Sequence, residues 1–155
     1  MLEMESEEVV MRGEFPLPDF NERGLLPPGF HPARFDAFRQ KFGFNPERLE
    51  MIDNGLRNVS DELRLRGVQR IFVGGSFVTE KPSPEDIDMY VPVPDVQSAL
   101  FWFTGHRSRL WLRIYRVHCF PAIQGSTGPG SEAYWQDWFA HEEDGTPKGI
   151  VALNL

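Results

Sequence analysis

The chain has 155 residues, a formal net charge of −7, 41% hydrophobic and 25% charged residues. The length argues for one domain, and the composition is that of a soluble globular protein. The acidic balance excludes non-specific coating of duplex nucleic acid, which needs clustered Lys and Arg. A nucleotide held through a metal stays open, because the metal supplies the positive charge. A single cysteine, Cys119, excludes an internal disulfide and a multi-cysteine zinc site. The start, MLEMESEEVV, lacks the basic region and apolar core of a signal peptide, and no apolar run approaches the ~20 residues that span a bilayer. A cytoplasmic protein without membrane association is expected.

Residues 1–28 read as an extended acidic arm. Glu3, Glu5, Glu7, Glu8, Glu14, Asp19 and Glu22 face only Arg12 and Arg23, and four prolines oppose helix. Within it, Glu8–Phe15 is a candidate edge strand. Residues 29–155 read as the folded domain. His31-Pro32 is expected to open a helix carrying Phe35, Phe38 and Phe42, stopped by Gly43. A longer helix follows, with Asn45 as N-cap, Pro46 in the first turn and Gly67 past its end. Its stripe of Leu49, Ile52, Leu56, Val59 and Leu63 marks a core face without chemistry. Val68–Val73 reads as a strand running into Gly74-Gly75-Ser76. Asp86–Val91 reads as a second strand, ended by Pro92 and Pro94. Val96–Phe103 suits a short helix, and Leu110–Phe120 a strand. A Gly/Ser loop precedes a helix over Ser131–Phe139, whose Trp135, Trp138 and Phe139 are expected to face inward. Gly149–Leu155 suits a last strand.

Residues 71–91 carry the chemistry. Glycines let backbone N–H groups approach phosphate oxygens without interference from Cβ, and a serine hydroxyl adds an adaptable donor. Nine residues separate Ser76 from Asp86. Residues i and i+2 of a strand share a face, so Asp86 and Asp88 project together while Ile87 enters the core. Two adjacent carboxylates repel, and a hard divalent cation relieves the repulsion. Turn and aspartate pair together describe a metal–triphosphate site, with Lys81 in the spacer as a further phosphate contact. His118 and Cys119, as strand neighbours, point to opposite faces and cannot form a nucleophilic dyad.

Strand, Gly-Gly-Ser, spacer and Asp-Ile-Asp-Met resemble the signature of the DNA polymerase β-like nucleotidyltransferase superfamily. More narrowly, LPPGFHPARFDAF, GGSFVTEKPSPEDIDMYV and GTPKGIVALNL resemble small stand-alone bacterial and phage-associated nucleotidyltransferase-like proteins. The superfamily signature spans about 20 residues. The resemblance implies an α/β (α+β) fold with a small mixed sheet and helices mainly on one face. It implies transfer of a nucleoside monophosphate from a nucleoside triphosphate to a protein or tRNA acceptor, with Mg²⁺ or Mn²⁺. It places Gly74, Gly75, Ser76 and Lys81 at the triphosphate, and Asp86 and Asp88 at the metal. Small relatives of this kind often belong to toxin–antitoxin or phage-defence pairs.

One departure stands out. Active members add a third carboxylate from a later strand, yet residues 96–131 contain no Asp or Glu. The corresponding position falls near Arg116 or His118. His118 is a poorer ligand for Mg²⁺, but an imidazole can serve as a base, which makes it a candidate for that role. Asp95, Glu132 and Asp137 are the other possible substitutes. The rival reading is a catalytically degenerate member that binds a protein partner, as an antitoxin would, or senses a nucleotide without turning it over. A carboxylate beside Asp86 and Asp88 would favour the enzyme; His118 or Arg116 in that place would favour the binding module.

Overall fold

The computed structural model describes residues 16–103 and 106–155, without the side chains of residues 106–108. Strand β1 (Gly29–Arg34) leads into helix α1 (Phe35–Phe42). Helix α2 covers 46–65 as three continuous segments: Pro46–Glu50, a π-turn at Met51–Leu56, and Arg57–Leu65. Then come β2 (Arg70–Gly74), a 3₁₀ turn (Gly75–Val78), β3 (Ile87–Val93), α3 (Val96–Phe103), α4 (His106–Tyr115), β4 (Val117–Ile123), α5 (Glu132–Phe139) and β5 (Gly149–Asn154). The five strands form one sheet in the order β1-β5-β2-β3-β4. β1 runs parallel to β5 and β3 parallel to β4, while β2 is antiparallel to both its neighbours. The fold is thus α+β with a mixed sheet.

The two-residue alternation of the strands divides the molecule into two layers. Ile71, Val73, Ile87, Met89, Val91, Val117, Cys119, Val151 and Leu153 point to one face. There they meet Phe38, Phe42, Ile52, Leu56 and Leu63 of α1 and α2, with Phe103 and Trp111 of α3 and α4. The other face carries Tyr90, Ala122 and Ile150 beneath Phe139 of α5, with Phe72, Phe120 and Trp135 packed around them. One thinly covered face is what leaves room for a cleft.

Helix α2 follows its local code. Asn45 Oδ1 accepts from the Arg48 N–H at 2.9 Å, and Pro46 occupies the first turn. Gly67, at φ +88°, closes the far end, with Val68 N–H donating to Leu63 O and Gly67 N–H to Arg64 O. The π-turn holds Gly55, where a Cβ would collide with the Tyr115 carbonyl, so the glycine lets α2 approach the α4–β4 junction.

Several expected elements differ. His31-Pro32 lies in β1 rather than opening a helix. Among the described residues β1 is an edge strand paired only with β5, and an edge tolerates the missing proline N–H. Pro92 does not end β3, because pairing with β2 stops at Tyr90 and only β4 continues alongside. Leu110–Tyr115 is helical, with Trp111 buried. The strand starts at Val117, after Arg116 reverses the chain at φ +57°. Trp138 faces outward at 62% exposure; Phe139 alone of the three aromatics is fully buried. Glu8–Phe15 lies outside the described residues. The second half of the arm is irregular but docked: Leu25 and Leu26 are buried, and Leu17 and Phe20 pack on the core. Among the described residues no helix is long and apolar enough to cross a membrane.

Candidate functional site

Register brings the chemistry together. Asp88 on β3 is the partner of Gly74 on β2 and of His118 on β4. The glycine turn, the aspartate and the histidine therefore stand side by side across three neighbouring strands, on the face opposite the main core. Gly75, at φ +67°, turns the chain so tightly over Asp88 that a Cβ there would lie 2.7 Å from Asp88 Oδ2. Gly74 serves the packing instead. A Cβ on it would strike Phe139 at 2.6 Å, so its bareness seats α5, and it does not line the cleft.

Asp86, Asp88 and His118 offer ligand atoms that all lie within 4.8 Å of one another. His118 Nδ1 is 3.5 Å from Asp88 Oδ1, and the imidazole packs on Phe120 at 4.2 Å between ring centroids. Burial and the neighbouring Asp86 charge push the Asp88 carboxyl up to about 7, and Lys148 partly opposes this. The substitutes considered from sequence do not join the group. Asp95 caps α3 through Ser98 N–H, Glu132 sits in the first turn of α5, and Asp137 lines the cleft apart from the cluster. Arg116 is also elsewhere: its guanidinium ties the 84–85 loop through Pro84 O and Glu85 O and faces Glu47. Cys119 points into the core, where burial raises its thiol pKa.

Asp88 and His118 of this cluster form one side of an open cleft of about 1300 Å³. Its walls come from residues 23–25, the 75–81 loop and residues 137–148. Gly75, Ser76 and Lys81 line it. Two cations were not evident from sequence. Lys148, nearly buried, donates to Glu142 Oε2 at 2.7 Å; Arg23 donates to Thr146 Oγ1 at 2.6 Å and Asp144 Oδ2 at 3.1 Å. Neither carries a local signal, since only the packing of distant segments brings them to the same cleft as Asp88.

Arg48 is the third residue missed. Fully buried, it donates to the carbonyls of Phe42 (3.0 Å), Phe77 (2.7 Å), Thr79 (2.9 Å) and Lys81 (2.6 Å). Its guanidinium lies over the rings of Phe44 and Phe77. No carboxylate pairs with it among the described residues, and burial lowers its pKa to about 10. Carbonyl dipoles therefore carry the compensation, and the loop that lines the cleft is shaped around this one side chain. A hint was present: Arg48 stands four residues before Ile52 and eight before Leu56, on the core face of α2.

No curated protein matches the chain, and no solved structure does. A family model described as a family of unknown function, DUF6932, matches residues 18–154. That span holds the sheet, every helix described above and all three walls of the cleft, and the chain accordingly belongs to the DUF6932 family.

Proposed function

We propose that the cleft binds a metal–nucleoside triphosphate and that the protein is nucleotidyltransferase-like, passing a nucleoside monophosphate to an acceptor hydroxyl in the cytoplasm. The observation carrying this reading is the convergence of Gly75, Ser76, Asp88 and His118 at one side of the cleft, with Asp86 beside Asp88. The donor set fits a divalent ion: two carboxylates, one raised in pKa by burial and by the other's charge, and an imidazole facing them. Such an ion would neutralise the phosphates and the leaving pyrophosphate. Asp86, Asp88 and His118 would hold it. Ser76 and the amides of the glycine turn would grip the triphosphate, with Lys81 and Lys148 offsetting its charge. An acceptor oxygen would form a bond to the α-phosphorus as the bond to pyrophosphate breaks, and the hydroxyl proton would leave to water through the open cleft. Carboxylates outnumber cations among the lining residues, which favours a protein acceptor over tRNA. A role in a toxin–antitoxin or phage-defence pair follows only from the sequence resemblance.

The second reading is a member that binds a nucleotide or a protein partner without turnover. One observation favours it: His118, rather than a carboxylate, stands beside Asp88. Calorimetric titration of the four nucleoside triphosphates with Mg²⁺ or Mn²⁺, on wild type and on the Asp86→Asn/Asp88→Asn double variant, tests the site. Binding that disappears in the double variant is expected. Release of pyrophosphate then separates transfer from sensing, and a folded wild type that binds no nucleotide refutes the proposal.

A further inference from the structure

We infer that Asp86, Asp88 and His118 form a mixed carboxylate–imidazole centre that selects a first-row transition ion, of the Mn²⁺ to Co²⁺ kind, over Mg²⁺. The inference deepens the metal–triphosphate reading by naming the class of ion. Its basis is the geometry and chemistry of the donors. The 3.5 Å between His118 Nδ1 and Asp88 Oδ1 is long for a hydrogen bond. It is close to the spacing of two ligands of one ion: bonds of about 2.1 Å place donor atoms about 3.0 Å apart at an octahedral angle and about 3.4 Å apart at a tetrahedral one. Asp86 adds an oxygen within the same 4.8 Å circle.

Mg²⁺ demands oxygen donors in near-octahedral order, whereas imidazole nitrogen suits the transition series. His118 is also held in place rather than left to swing. It sits on β4 in register with Asp88, and its ring rests on Phe120, which in turn stacks on Trp135 at 4.3 Å. A ring fixed in this way presents its nitrogen without a large ordering cost. Together with Gly75 closing over Asp88, the Asp88–His118 pair is preformed by the sheet, and Asp86 joins it from the residue just before β3.

Almost any nitrogen–oxygen site prefers later transition ions in raw affinity, so the decisive quantity is the change in preference when the nitrogen is removed. The full-length protein is titrated with Co²⁺, following its visible absorption, and with Mg²⁺ in competition. Wild type, His118→Ala, His118→Asp and Asp88→Asn are compared. Losing an outer-shell partner costs about 10–100-fold in metal affinity, so losing a direct ligand in His118→Ala should weaken Co²⁺ at least tenfold and leave Mg²⁺ nearly unchanged. His118→Asp should shift the Co²⁺/Mg²⁺ preference toward Mg²⁺, and Asp88→Asn should abolish binding of both. Unchanged Co²⁺ affinity in His118→Ala, or an unchanged preference in His118→Asp, overturns the inference. Titration of Mg²⁺–ATP on the same proteins keeps the two readings apart. ATP binding that needs Asp86 and Asp88 but is indifferent to His118 leaves the triphosphate site standing and sinks the ion selectivity. Co²⁺ binding through His118 with no ATP binding does the reverse. His118 is partly exposed on an edge strand, so its variants should fold, and a thermal melt checks this.

Discussion

Arg48→Met tests whether a buried cation holds the cleft loop in shape. The wild-type guanidinium serves four carbonyls, at distances of 2.6 to 3.0 Å, on Phe42, Phe77, Thr79 and Lys81. Hydrogen bonds to charged groups contribute about 1.5–3 kcal/mol each, but removing the guanidinium also relieves its own desolvation. Its pKa, lowered to about 10, marks that burial cost. Each buried carbonyl left without a donor costs about 1–3 kcal/mol, and the relieved desolvation offsets part of the sum, which leaves a net loss of about 3–5 kcal/mol. For a domain of this size, at about 2–4 °C per kcal/mol, the midpoint should fall by roughly 6–20 °C. Circular-dichroism melts and urea denaturation measure it. Arg48→Lys keeps the charge but presents three donors from a point, so it should recover less than half of the loss. A loss below about 1 kcal/mol in Arg48→Met would refute the reasoning, because the loop would then be held by its other contacts, such as Thr79 Oγ1 on Ser76 O.

Three further predictions concern the centre itself. With Asp88 raised to about 7 from an ordinary 3.8, the folded state keeps a proton that the unfolded state has lost. This contribution to stability is present below pH 4 and is lost as pH rises through 7, so the metal-free protein should be less stable at pH 8 than at pH 5 on this account, with metal restoring it. Metal affinity should fall about tenfold per pH unit below 7, since one proton must leave; calorimetry across that range checks both signs. Gly75→Ala places a methyl 2.7 Å from Asp88 Oδ2 on a backbone at φ +67°. It should cost about 1–3 kcal/mol and weaken Co²⁺ binding, measured by melt and titration; a neutral variant would mean the turn relaxes freely.

Features whose chemistry is local were legible in the amino-acid order. Asn45, Pro46 and Gly67 marked the ends of α2 because capping involves residues a few positions apart. Alternation placed Ile87 in the core between Asp86 and Asp88, and kept His118 and Cys119 on opposite faces. The gap left by a missing carboxylate pointed to His118, and that residue does stand beside Asp88. The remaining features arose from packing between distant segments. His31-Pro32 became a strand only because β5, more than a hundred residues later, offered its edge. Residues 110–115 became helix because Trp111 is buried from that conformation and Arg116 then turns the chain. Arg23 and Arg48 shape the cleft through contacts across roughly 30 to more than 120 positions, and Lys148 acts on Asp88 from a remote part of the chain. No window of sequence can register such contacts, because hydrogen bonding and burial depend on which segments the sheet order makes neighbours.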